Sequence, residues 1–307
     1  MRVAKDFDGD RIQVSNEIVA NLKVTNSSIG PSKTSSFYLL TDYIIRDERG
    51  DIASPIPYDG VYVSDLGGLV NGTWTCPESG LYKILTTGLI EFVETAAPFF
   101  QAVSIGNNGT QPELFMGWER GPASPIYSGT LPFIVFLNAG ATLNVSVFQK
   151  STIPGTPAKC PAGKQTFIVE KVIANNVSAF YTTLYTHVPQ NTPTVIEYDG
   201  VYSSSLGGLV NGVWTCPETG TYKVSMCGAM RMATDSVCTM TVSFRDMPLL
   251  TLSWYGASND GAEFSSGGVG AIVQIGKDDL LTVTATQNNV QDGLVIPFYQ
   301  TFSIEKL

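Results

Sequence analysis

The chain has a single histidine, His187, in 307 residues. Zinc sites built on imidazole, and catalysis that shuttles protons through it, lose nearly all their candidates. Basic residues are also scarce: 18 Lys and Arg against 27 Asp and Glu give a net charge of −9. Nucleic acid requires a basic footprint and an anionic bilayer a polybasic one, so neither partner is expected. Only 15% of residues are charged, which argues against long disordered or coiled-coil stretches. No apolar run approaches the roughly 18 residues of a spanning helix, so no membrane insertion is expected. Residues 1–8, MRVAKDFD, lack the apolar core of a secretory signal. The five cysteines, Cys76, Cys160, Cys216, Cys227 and Cys238, are odd in number and not tightly spaced. They read as buried reduced side chains, not as a disulfide framework, and synthesis in a reducing cytoplasm is the simplest account.

What the chain has is repetition. Residues 58–83 read YDGVYVSDLGGLVNGTWTCPESGLYK and residues 198–223 read YDGVYSSSLGGLVNGVWTCPETGTYK, identical at 21 of 26 positions. Upstream, Ser36-Phe37-Tyr38 matches Ala179-Phe180-Tyr181. Downstream, residues 134–149 match 272–287, and QTFIVEKV (165–172) matches QTFSIEKL (300–307). The offset drifts from 140 to 138 to 135, so insertions fall in loops between matched strands; one is expected at 150–164. The chain therefore divides into an N-terminal arm (1–34), a first domain (35–173) and a second (174–307). The short join at 173–176 predicts closely stacked copies.

The pattern is β throughout. Trp74 and Cys76 lie two apart and share one strand face, with Thr73 and Thr75 on the other. Pro77 and Gly80 then make a turn and Tyr82 opens the next strand; Trp214, Cys216 and Tyr222 repeat this core motif. Gly67-Gly68 and Asn71-Gly72 bracket another short hairpin-like segment. In the opening strands, FYLLTDY (37–43) and FYTTLYT (180–186), both faces carry large apolar side chains. A half-buried strand should be polar outside. Phe37, Tyr38, Tyr43, Phe180, Tyr181 and Tyr185 are thus candidates for a subunit contact. The alternative is ordinary scattered surface apolar residues.

Residues 178–224 resemble the opening of a C1q globular domain. The matching positions are Ser178, Ala179, Phe180, Tyr198, Asp199, Val201, Trp214, Thr215, Cys216, Pro217, Gly220 and Tyr222. Gly276-Lys277-Asp278-Asp279 resembles the family's turn into a core strand, and Phe302-Ser303-Ile304 its closing strand. The first copy matches over 58–88 and at its end. The resemblance implies two tandem ten-stranded C1q/TNF-like jelly rolls, antiparallel β-sandwiches, forming trimers with their first and last strands near the three-fold contact. No collagen stalk precedes them. Such trimers are familiar among decoration, knob and fibre proteins of tailed bacteriophages.

Chemistry-bearing constellations are few. Asp6, Asp8, Asp10 and Glu17 partly match a calcium loop, but Arg11 stands where the loop needs glycine, so a solvated polar turn is expected. Asp59 and Asp199 recur at one repeat position and read as turn-holding residues. No catalytic residues, metal or cofactor are expected. Residues 1–34 carry Ile12, Val14, Ile18 and Leu22, too apolar for a free tail. They read as an arm that docks on a partner, or as a strand on its own domain. The combined expectation is a non-enzymatic, homotrimeric capsid decoration or knob protein on a virion surface. It would be made in the host cytoplasm and attached through its arm to the major capsid protein or another virion protein. The alternatives are a receptor- or glycan-binding adhesion module of a phage or bacterial surface, and an extracellular ligand of the TNF/C1q kind.

Overall fold

A computed structural model describes residues 33–45, 54–92, 99–107, 114–118, 126–149, 158–232, 236–245, 247–255, 263–289, 293–296 and 300–307. The arm residues Ile12, Val14, Ile18 and Leu22, and the acidic run at 6–17, lie outside them. Thr34–Leu307 forms one compact unit. It is all-β, its one helical turn among the described residues being the 3-10 turn Ala174–Asn176 at the join.

Four antiparallel sheets pair into two sandwiches. In the first, a seven-stranded sheet runs Tyr43–Ile45, Ala158–Cys160, Gly80–Phe92, Thr166–Lys171, Thr34–Tyr38, Gly60–Ser64, and Ile126–Leu137 also pairs with Gly80–Phe92. The facing six-stranded sheet runs Leu69–Val70, Thr73–Thr75, Thr142–Gln149, Phe99–Gly106, Leu114–Trp118, with Ser54–Pro55 joined to Thr142–Gln149. The second sandwich repeats both orders. Its larger sheet runs Thr186–Val188, Gly293–Val295, Gly220–Met232, Thr301–Lys306, Val177–Tyr181, Gly200–Ser204, plus Glu263–Ile275. Its smaller one runs Leu209–Val210, Val213–Thr215, Leu280–Gln287, Val237–Phe244, Met247–Tyr255, plus Thr194–Val195. First and last strands of each copy lie side by side, closing a jelly roll. Among the described residues each roll has thirteen strands where ten were expected, because short segments such as Ser54–Pro55, on Thr142–Gln149, pair separately.

The Trp-Cys-Tyr corner forms the same way twice. Asn71 and Gly72 both take positive φ (51° and 75°), the type I′ geometry that matches strand twist, and pair Leu69 with Trp74. Trp74 then points into the core, where its indole N–H donates to the Leu66 carbonyl at 3.2 Å and its ring meets Tyr82 edge-on at 5.6 Å. The Tyr82 hydroxyl donates to the Glu78 carbonyl at 2.7 Å, and the Cys76 thiol donates to the same oxygen at 3.1 Å. In the second roll Trp214, Cys216 and Tyr222 make the corresponding bonds to Leu206 and Glu218. Every buried polar atom of the corner has a partner, so these large side chains are buried without an unmet hydrogen bond.

Two readings of local structure need correction. The opening strands end at Tyr38 and Tyr181, not at 43 and 186. An aspartate stops each: Asp59 accepts from the Leu40 amide at 2.6 Å, and Asp199 from the Thr183 amide at 2.6 Å. The turn-holding reading of that pair is thus seen directly. Nor is 150–164 wholly an insertion. Ala158–Cys160 pairs with Tyr43–Ile45 as Gly293–Val295 pairs with Thr186–Val188, so this strand is common to both rolls.

Candidate functional site

The subunit-contact residues inferred from the opening strands separate into three groups. Phe37 and Phe180 are fully buried in the core of their own roll and stack near Phe167 and Phe302. They are removed from the contact list, because strand alternation turns them inward and their tyrosine neighbours outward. Tyr43 is half-buried against the first core. Tyr185 is exposed, but beside Leu184 in the turn after the strand and not on the sheet face. Tyr38 and Tyr181 remain on the outer face, each half-buried.

Each of those tyrosines is one half of a stacked pair that sequence reading missed. Tyr38 stacks on Tyr62 with ring centroids 4.2 Å apart, and Tyr181 on Tyr202 at 4.3 Å. The rings lie over glycine. A Cβ on Gly60 would sit 2.5 Å from the Tyr38 ring, and Gly200 is covered in the same way by Tyr181. The motif Tyr-Asp-Gly-Val-Tyr therefore supplies the aspartate that ends one strand, the glycine beneath one ring and the tyrosine that stacks on it. That signal was in the repeat; the partner across the sheet was not.

The two pairs meet different surroundings. Ile126–Leu137 of the first roll lies across the larger sheet of the second, packing on Glu263–Ile275, Gly220–Met232, Thr301–Lys306 and Gly200–Ser204. The rolls thus meet edge on face. Leu81 and Ile134 of the first roll form a buried cluster with Val177 and Ala179 of the second, joined by Phe136, Val172 and Tyr202. Tyr202 is half-buried there, and burial raises its phenol well above the ordinary value. Lys83 of the first roll pairs with Glu305 of the second at 2.7 Å and with its own Glu170 at 3.4 Å. The Cys227 thiol donates to the Pro132 carbonyl across the same seam. A shallow cleft beside it is lined by Lys83, Pro132, Lys223, Ser225, Ser303 and Glu305.

All five cysteines are buried and unpaired by disulfide. Burial pushes the thiols of Cys160, Cys227 and Cys238 up to about 12. They are neutral at physiological pH and poor nucleophiles, which makes them packing groups. Among the described residues, no helix is long and apolar enough to cross a membrane.

No family model matches the chain, and no curated protein matches it. Solved structures do align. One is the Eiger TNF from S. frugiperda, at 15% identity and TM-score 0.35, over 47% of this chain and 94% of that one. Another is murine APRIL, at 12% identity and TM-score 0.33, over 43% of this chain and 98% of that one.

Proposed function

We propose that the chain is a non-enzymatic structural protein that self-associates, as a homotrimer, into a decoration or knob on a virion surface. The residues before Thr34 would attach it to the shell. The observation that carries the self-association is the outer face of the first roll's larger sheet. There Tyr62 and Val63 are exposed beside Tyr38 on the edge strand Gly60–Ser64, whose Val61 is exposed as well, an apolar patch at the margin of the sheet. A repeated, multivalent attachment would let weak individual contacts hold firmly on a lattice. The acidic net charge and the two matched rolls support a passive surface component over a catalytic one.

Two measurements test this. Light scattering should give about three times 33.0 kDa; a mass of one chain at all concentrations removes the self-association. Deleting residues 1–32 should abolish binding to purified shells and leave assembly intact. Undiminished decoration by the truncated chain overturns the arm, and binding to glycans without binding to shells moves the protein to the adhesion reading.

A further inference from the structure

The contact between the two rolls is made from repeat positions, and the repeat leaves each half of it unused once. Ile134, 3% exposed, is covered by the second roll; its repeat partner Ile272 is 66% exposed. Tyr202 is half-buried under the first roll; its repeat partner Tyr62 is 66% exposed. Lys83 reaches Glu305 across the seam at 2.7 Å. The charged repeat partners are not free in the same way: Lys223 lines the cleft at the internal seam, and Glu170 already pairs with Lys83 at 3.4 Å, so the unused halves are the apolar ones. Each chain therefore presents an unfilled socket on its first roll and an unfilled plug on its second.

We propose that a second copy of this chain fills them. The Ile272 edge of one copy docks on the Tyr62 face of the next, repeating between chains the apolar part of the contact already made within one. This rests on the self-association reading above and fixes its geometry. The interface is heterologous, head to tail, and closes into a ring where its rotation allows; a trimer closed this way is a ring of six rolls. It is also the weaker version of the contact. Where the internal seam has Leu81, Phe136, Val177 and Ala179, the repeat positions carry Thr221, Gln274, Thr34 and Ser36. Fewer apolar groups leave water, so assembly is reversible and dilutes apart, while the internal seam, held by the short join, does not.

The experiment is sedimentation of the full chain from micromolar to millimolar concentration. Wild type should pass from one chain to assemblies. Tyr62→Glu and Ile272→Glu, both at exposed positions, should each remain a single chain of 33.0 kDa. Mixed in equal amounts, they should form pairs of twice that mass and nothing larger, because each variant keeps the half the other has lost. Gln274→Phe, which copies Phe136 of the internal seam, should tighten assembly about 10-fold. Val210→Glu, 72% exposed on the opposite sheet, should assemble as wild type. Single variants that assemble normally, a mixture that never pairs, or a Val210→Glu chain that falls apart would each overturn this contact. If wild type assembles and the variants do not disturb it, only the geometry fails; if wild type stays single throughout, self-association fails with it.

Discussion

The two rolls agree almost to the tenth of an ångström at one place and diverge at another. Around the tryptophan corner, Trp74 meets Tyr82 at 5.6 Å and Trp214 meets Tyr222 at 5.7 Å, and both hydroxyls bond a glutamate carbonyl at 2.7 Å. At the outer sheet face the same residue types are covered in one roll and bare in the other. The difference separates two demands on one ancestral sequence. What a roll needs in order to fold is kept in both copies, while what a roll does with its neighbours depends on which side of the seam it occupies. Substitutions made in pairs, one in each roll, measure the two demands separately.

The largest effect belongs to the shared corner. Trp74→Ala and Trp214→Ala should each lower unfolding stability by about 3–5 kcal/mol, the usual result of emptying a fully buried tryptophan site. The two losses should match, read from urea midpoints. A loss confined to one roll would mean that the corner supports only half of the molecule.

The glycines under the tyrosines come next and should not match. Gly60→Ala and Gly200→Ala both force a ring off its place, at about 1–3 kcal/mol for overpacking of this kind. Gly200 lies beneath the Tyr181–Tyr202 stack at the seam, whereas Gly60 lies beneath the Tyr38–Tyr62 stack, whose outer ring is free to move. Gly200→Ala should fall at the upper end of the range and Gly60→Ala at the lower. Equal losses would deny that the seam restrains Tyr202.

A smaller contrast divides the lysines. Lys83 is 17% exposed and bridges both rolls, so Lys83→Met leaves Glu305 unpaired at the seam and should lower stability by about 1–2 kcal/mol. Lys223→Met removes no such partner and should stay within about 0.5 kcal/mol when the chain is dilute. A Lys223 effect as large as that of Lys83 would show a partner at the seam other than Glu305.

The corner was legible from the sequence because it is local. Trp, Cys, Pro, Gly and Tyr lie within nine positions, and period-two alternation assigns their faces without knowledge of the rest of the fold. The opening strands were half legible. Alternation separates Phe37 from Tyr38 and Phe180 from Tyr181 but does not say which of each pair faces outward, and their apolar run continues past the true strand ends, because Asp59 and Asp199 act from about sixteen to nineteen residues away. The seam was not legible. Tyr62 and Tyr202 occupy identical five-residue contexts, and only the edge-on-face packing of the rolls makes them different.

The smallest effect concerns a turn where the copies differ in sequence. Gly140 and Asp278 both take positive φ, 84° and 66°, in the turn before a core strand. Glycine does so freely; aspartate resists, and its neighbour supplies the support. Asp279 accepts from the Gly276 amide at 2.8 Å and from two Arg245 nitrogens at 2.9 Å, where the first roll has Ala141. The Arg245 guanidinium, with the Gly276 amide, holds the Asp279 carboxyl below its ordinary 3.8. A carboxyl lowered on folding contributes stability above its unfolded value, and that contribution is lost as pH falls through the folded one. Asp279→Ala, which copies the first roll, should therefore lower the unfolding midpoint at pH 7 and converge on wild type in acid below 3.8. Because the pair is exposed to solvent, the gap at pH 7 should also narrow in high salt. A gap unchanged by acid would mean that the carboxylate's charge has no part in holding the strained turn, and that its backbone bond to Gly276 acts alone.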